Sequence, residues 1–184
     1  MKSVLKILPF VAIVFSVSCN NKTSNETITS ANTQTASAGQ SAVQDDVSMK
    51  DVVKVAAASA EHTTLVAAVK QADLVDVLSN AGPFTVFAPT NAAFDKLPAG
   101  TVDGLMEPEK KSDLQNILEY HVTTSSLKAD FFKDGMTIGM VNGGSITVTI
   151  KDGRVILNNS ATIIASVQAS NGMVHVIDAV LLPK

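Results

Sequence analysis

Tryptophan is absent from this 184-residue chain, tyrosine occurs once, and the single cysteine is Cys19. A lone thiol forms no intramolecular disulfide and builds no cysteine-rich zinc site. Scarce aromatics leave few platforms for stacking nucleobases or sugar rings. Charge is balanced rather than basic: 14 Lys and Arg stand against 17 Asp and Glu, a net charge of −3. Nucleic-acid binding draws on a basic excess that this chain lacks, so no nucleic-acid partner is expected. What is present is a hydrophobic content of 46% in a length suited to one globular domain.

Motifs of familiar enzymes are also missing. The three histidines, His62, His121 and His175, show no metal-helix spacing. There is no Gly-x-x-x-x-Gly-Lys loop and no Gly-x-Ser-x-Gly elbow. Gly139, Gly143 and Gly144 lie between strand-like runs, not at a strand-to-helix turn where a dinucleotide would sit. Asp152 reads as a turn former, since one carboxylate falls far short of a calcium site. Neither metal nor cofactor is expected. The nearest approach to a catalytic dyad is His121 or His175 with Asp178. In a regular strand a separation of three puts His175 and Asp178 on opposite faces. Burial with bonds to backbone accounts better for both histidines. The chain reads as a non-enzyme, with a small hydrolase as the minor alternative.

The longest apolar run is short. Lys2 and Lys6 form a cationic start, and Ile7 to Val17 is then almost wholly apolar. Eleven helical residues span about 16 Å, against about 30 Å for a bilayer core. Residues 1–18 are therefore read as a signal peptide. Ser18 directly before Cys19 resembles a bacterial lipobox, which makes Cys19 the expected site of lipidation and the membrane anchor. Residues 19–47 read as a polar tether without fixed structure. Within 20–47, sixteen of 28 residues are Ser, Thr, Asn or Gln, and the large apolar residues are Ile28, Val43 and Val47. Such a coil has an end-to-end distance of about 30 Å.

Residues 48–184 form the expected domain. Ser48 and Asp51 have capping-box spacing ahead of a first helix. Thr63 or Thr64 starts a second, whose apolar spacing runs through Leu74, Val75 and Leu78 until Gly82-Pro83 stops it. Phe84–Ala88 reads as a strand closed by Pro89. Thr90 caps a short helix over Asn91 to Leu97, and Asp113–Tyr120 forms a later one. Leu127, Phe131 and Phe132 read as a core-facing turn. After Asp134-Gly135 the period changes to two. Strands are expected over Met136–Met140, Ser145–Lys151, Arg154–Leu157, Thr162–Val167 and Met173–Leu182. Asn142-Gly143, Asp152-Gly153 and Asn171-Gly172 mark turns. Helices first and strands second make an α+β pattern.

Three blocks carry a family resemblance. Phe84-Thr85-Val86-Phe87-Ala88-Pro89-Thr90-Asn91-Ala92-Ala93-Phe94 resembles the first motif of the fasciclin (FAS1) domain. Asn116–Val122, containing Tyr120-His121, resembles its central motif, and Ala169–Pro183 its closing one. The resemblance implies helices packed beside a β-sheet wedge, in a domain of the adhesion and matrix type with no catalytic activity. It links Tyr120 and His121 to ligand contact or to core packing. Thr90 and Asn91 fall at the helix start after Pro89, Asn171 and Gly172 at the turn into the last strand, and His175 and Asp178 within the closing motif. Some members carry an Asp-Ile pair, linked to integrin recognition, where this chain has Ser166 and Val167, so that property is not carried over.

Leader, tether and body together suggest an adhesion or binding module anchored by lipid to the cell envelope, with the outer membrane or cell surface favoured because the residue after Cys19 is Asn20 and not an acid, and with the periplasm or secretion as the alternative. The expected partner is a protein or glycan on a cell surface or in a matrix. An envelope-stabilising structural module is the alternative.

Overall fold

The computed structural model describes residues 49–183. The expected signal peptide 1–18, Cys19, the tether 19–47, Ser48 and Lys184 lie outside the described residues.

The N-terminal half is helical. Helix α1 is Val52–Ala57, and its N-cap is Asp51, whose carboxylate accepts from Lys54 N at 2.8 Å. Asp51 is thus the cap itself and not the third residue of a box begun at Ser48. A single 3-10 turn, Ala60–His62, leads into α2, Thr63–Gln71. The apolar spacing beyond it belongs to a separate helix, α3, Val75–Ser79. Between them Asp73 takes a left-handed φ of 55°, Asp73 N donates to Lys70 O, and Leu74 N donates to Val69 O. That is a Schellman ending with aspartate where glycine is usual.

Strand β1, Phe84–Pro89, runs into α4, Asn91–Asp95, which stops two residues short of Leu97. Helices α5, Thr101–Leu105, and α6, Lys111–Glu119, complete the helical set. Helix α5 was not expected; with Gly104 inside it and a length of five residues, it offers little periodicity. The remaining strands are β2 Val122–Thr123, β3 Thr137–Gly139, β4 Ser145–Lys151, β5 Arg154–Leu157, β6 Ala161–Ala169 and β7 Gly172–Ile177. They form one seven-stranded sheet in the order β2-β1-β7-β6-β5-β4-β3. The last strand ends at Ile177 and not at Leu182, so Asp178 lies in a bend beyond it.

Every strand pair is antiparallel except β1 with β7, which align in parallel from Phe84 opposite Gly172 to Pro89 opposite Ile177. These two interior strands are buried along almost their whole length, as strands covered on both faces are, with Thr85 and His175 the polar residues among them. Two apolar clusters result. One packs α1, α2, α3 and α6 against β1 and β7 through residues such as Leu65, Val69, Val86 and Val174. The other fills the strand-rich end around Phe87, Ile146, Leu157 and Ile177. Leu127 and Phe132 join the second cluster, whereas Phe131 is 51% exposed. The turn there is one 3-10 turn, Ala129–Phe131, and offers no helical stripe to bury all three.

Candidate functional site

The Tyr120-His121 pair lies at the end of α6 and is buried. Tyr120 caps the helix, and its ring leaves no room for a side chain at Gly144, where a Cβ would fall 2.8 Å from Tyr120 Cε2. Its hydroxyl donates to Ser145 O at 2.8 Å and accepts from Asn158 Nδ2 at 2.9 Å. The pair of bonds ties the helix end to β4 and to the turn after β5. Tyr120→Phe removes both while keeping the ring. A loss of about 1–2 kcal/mol is expected in urea unfolding, with near-native packing.

His121 is 2% exposed. Its Nδ1 lies 2.7 Å from Ile117 O, and its Nε2 accepts from Leu181 N at 2.9 Å. A carbonyl only accepts, so the proton sits on Nδ1 and the ring is neutral. Burial pushes its pKa down to about 4, against a smaller opposing effect from the Ile117 carbonyl. His175, on β7, shows the other tautomer. Nε2 donates to Leu127 O at 2.8 Å, and Nδ1 takes the Ser166 hydroxyl at 2.7 Å. Its ring stacks on Phe87 at 5.7 Å and meets the edge of Phe132 at 5.1 Å. Burial lowers its pKa as well, opposed by the Leu127 carbonyl.

Neither ring keeps a free lone pair or proton for a substrate. Asp178 is not joined to either histidine: its Oδ1 accepts from Thr162 N at 2.6 Å, and its carbonyl accepts from Lys96 Nζ at 2.7 Å. Among the described residues no group of three or more His, Cys, Asp or Glu side chains could hold a metal.

The remaining motif residues are joints between elements. Thr90 Oγ1 accepts from Ala93 N at 3.2 Å and starts α4. Asn91 reaches across to α2, where its Oδ1 accepts from Thr64 N at 3.1 Å while Nδ2 donates to Ala60 O at 3.0 Å. Asn171 does more than shape the turn expected of it. Oδ1 accepts from Val52 N at 2.9 Å, and Nδ2 donates to Leu78 O and Asn80 O, both at 2.8 Å. One side chain thus fastens the start of α1 and the end of α3 to the β6–β7 turn. Asn171→Ala leaves three backbone groups without these bonds, and a loss of about 3 kcal/mol is expected by denaturant titration. No local signal separates this asparagine from an ordinary turn residue, because its three partners stand 91, 93 and 119 positions away.

The exposed polar and apolar surface lies elsewhere. On β6, five consecutive residues, Ile164–Gln168, are exposed, with Ile164 at 57% and Val167 at 41%. Alongside runs a groove of about 230 Å³ between β6 and the α1 region, with His62 in its wall. Sequence reasoning passed over His62 because nothing in its spacing set it apart.

The fasciclin domain model matches residues 60–183. Protein sll1483 of Synechocystis sp. is 52% identical over 132 residues, covering 72% of this chain and 73% of that protein. Immunogenic protein MPB70 of Mycobacterium bovis is 41% identical over 141 residues, covering 73% of this chain and 70% of that one. The FAS1 domain pair of the insect cell adhesion molecule fasciclin I superposes with a TM-score of 0.64 at 21% identity, over 73% of this chain. This chain spans about half (51%) of that two-domain chain, and the likeness concerns fold. With 124 consecutive residues under one family model and relatives of this similarity, the chain belongs to the fasciclin domain family.

Proposed function

We propose that the protein is a non-enzymatic binding module of the cell envelope, held by lipid at Cys19 and reaching outward on its polar tether to a protein or glycan of a cell surface or matrix. The observation that carries this reading is the fasciclin domain over residues 60–183, a domain also found in a cell adhesion molecule and matched by a cell surface glycolipoprotein of Mycobacterium bovis. The cationic start, short apolar run and Cys19 support the anchor. The engaged rings of His121 and His175 support a role without turnover. Among the described residues no helix is long and apolar enough to cross a membrane.

Attachment under controlled shear tests the proposal. Four strains are compared: the parent, a deletion, and the deletion restored with wild type or with Cys19→Ala. Loss on deletion with rescue by wild type alone is the expected result. Equal attachment in all four would overturn the adhesion role.

A further inference from the structure

Strand β6 is nine residues long, and β5 covers little of it. Pairing with β5 is confined to Ala161 and Thr162. From Ile163 to Ala169 the strand has β7 on one side and no strand on the other. That open edge is about 23 Å long. Among the described residues, no backbone hydrogen bond from 163–169 runs to anything outside the sheet. The N–H and C=O groups that point away from β7 are therefore left for solvent or for another strand.

The nominal ends of the sheet are guarded by brevity. Strand β2 has two residues and β3 three, which gives a neighbour little to pair with. The β6 edge lacks the usual protection of charge or proline: no Asp, Glu, Lys, Arg or Pro occurs between Val155 and Ile177. One bulge falls between Ile163 and Ala165, at the end nearest β5, and beyond it Ala165 to Ala169 pair one for one with β7. Residues 164–168 are all exposed, Ile164 and Val167 among them.

Geometry and charge both favour a second copy of this chain as the occupant. An antiparallel strand edge can match itself about a two-fold axis. Ser166 turns its hydroxyl to His175, so Ala165 and Val167 share the other face, toward α1. An axis centred on Ser166 sets Val167 of each copy opposite Ala165 of the other, with Ile164 alongside and no charge facing its like. The chain as a whole carries a net charge of −3, so two copies repel over much of their surface. The β6 stretch is where they meet without that repulsion, and a charged peptide would find no counter-charge on it.

We propose that β6 is a dimerisation edge, on which a second copy adds its own β6 antiparallel to the first and joins the two sheets across a two-fold axis. The proposal stands apart from the adhesion reading, because the association is measured on the purified chain.

The test uses the full chain carrying Cys19→Ala, which takes no lipid. Sedimentation equilibrium should show a monomer–dimer equilibrium in the micromolar to millimolar range, since a strand edge of this length makes a small interface, below about 1,200 Å². Amides of residues 164–168 should exchange more slowly as the dimer forms. Val167→Glu and Ala165→Lys should each weaken association about tenfold, by placing a charge in an apolar contact. Both positions are exposed, so the Tm of the dilute monomer should not change. Mixing the two variants should restore association, because the axis sets one introduced charge opposite the other. A monomer at every concentration overturns the proposal. So does association that both variants leave intact, or a mixture that associates no better than its components. Edge amides already slow in the dilute monomer, covered by residues 20–47 or by another segment, overturn it as well.

Discussion

Gly172→Ala is expected to remove most of the stability of the domain, about 4 kcal/mol or more. Gly172 opens β7 where it pairs with Phe84 of β1. A methyl group there would sit 1.9 Å from Phe84 O and 2.7 Å from Phe84 C, both backbone atoms. Opposite it, a Cβ at Gly82 would sit 1.9 Å from Asn171 O. The two chain segments therefore touch backbone to backbone, and neither can yield by turning a side chain. The parallel β1–β7 pair holds the two apolar clusters together, so separating the strands opens both. The cost is set at about 4 kcal/mol or more, at the upper end for overpacking because no rotamer relieves it. Circular dichroism and urea titration would show it. Gly139→Ala is the control: nothing lies within 4 Å of the added carbon, and stability should change little.

The second large effect is at His121. His121→Ala removes the ring that accepts from Leu181 N and bonds Ile117 O, leaving two backbone groups unpaired in the core. It also joins two apolar voids of about 30 Å³ each that flank the ring. Unpaired groups and the enlarged cavity together cost about 4 kcal/mol. The same ring makes stability depend on pH. Its folded pKa, about 4, lies below the model-peptide value of 6.5. Between those values the unfolded chain binds the proton and the native chain does not. The histidine's contribution is therefore complete above pH 6.5 and is lost as pH falls toward 4. Its size is about 3 kcal/mol, from a shift of roughly two and a half units. His62 and His175 are shifted in the same direction and steepen the fall. Urea midpoints measured from pH 7 to pH 4 should decline, and the decline should be shallower in His121→Ala.

Local chemistry made some elements legible. Strands β4 and β5 match their expected bounds because Asp152 and Gly153 both take the positive φ, 50° and 73°, that a tight hairpin demands. Thr90 announced α4 in the same way, through a cap that acts within three residues. The features that escaped are of two kinds. Some used a less usual residue for a common role, as with Asp73 in the left-handed position between α2 and α3. Others depend on distance in sequence. Strand β2 is two residues long and exists only because Thr85 and Val86 lie beside it. Alternation along β7 said which way each side chain points, but all six of its residues are buried, so the pattern carried no information on depth. Tyr120, His121, His175 and Asn171 could be picked out from the motifs. Their bonding partners, from Ser145 to Leu181, could be known only from the fold.

If the proposed binding uses exposed surface, Tyr120 and its neighbours in the motif serve to hold the domain together and not to meet the ligand. The most direct test restores the deletion strain with Tyr120→Phe and measures attachment under shear at a temperature where the purified variant is fully folded. Attachment equal to wild type is expected, because the hydroxyl bonds Ser145 and Asn158 within the fold. A folded, normally displayed Tyr120→Phe protein that fails to restore attachment would contradict it and place that hydroxyl at the ligand.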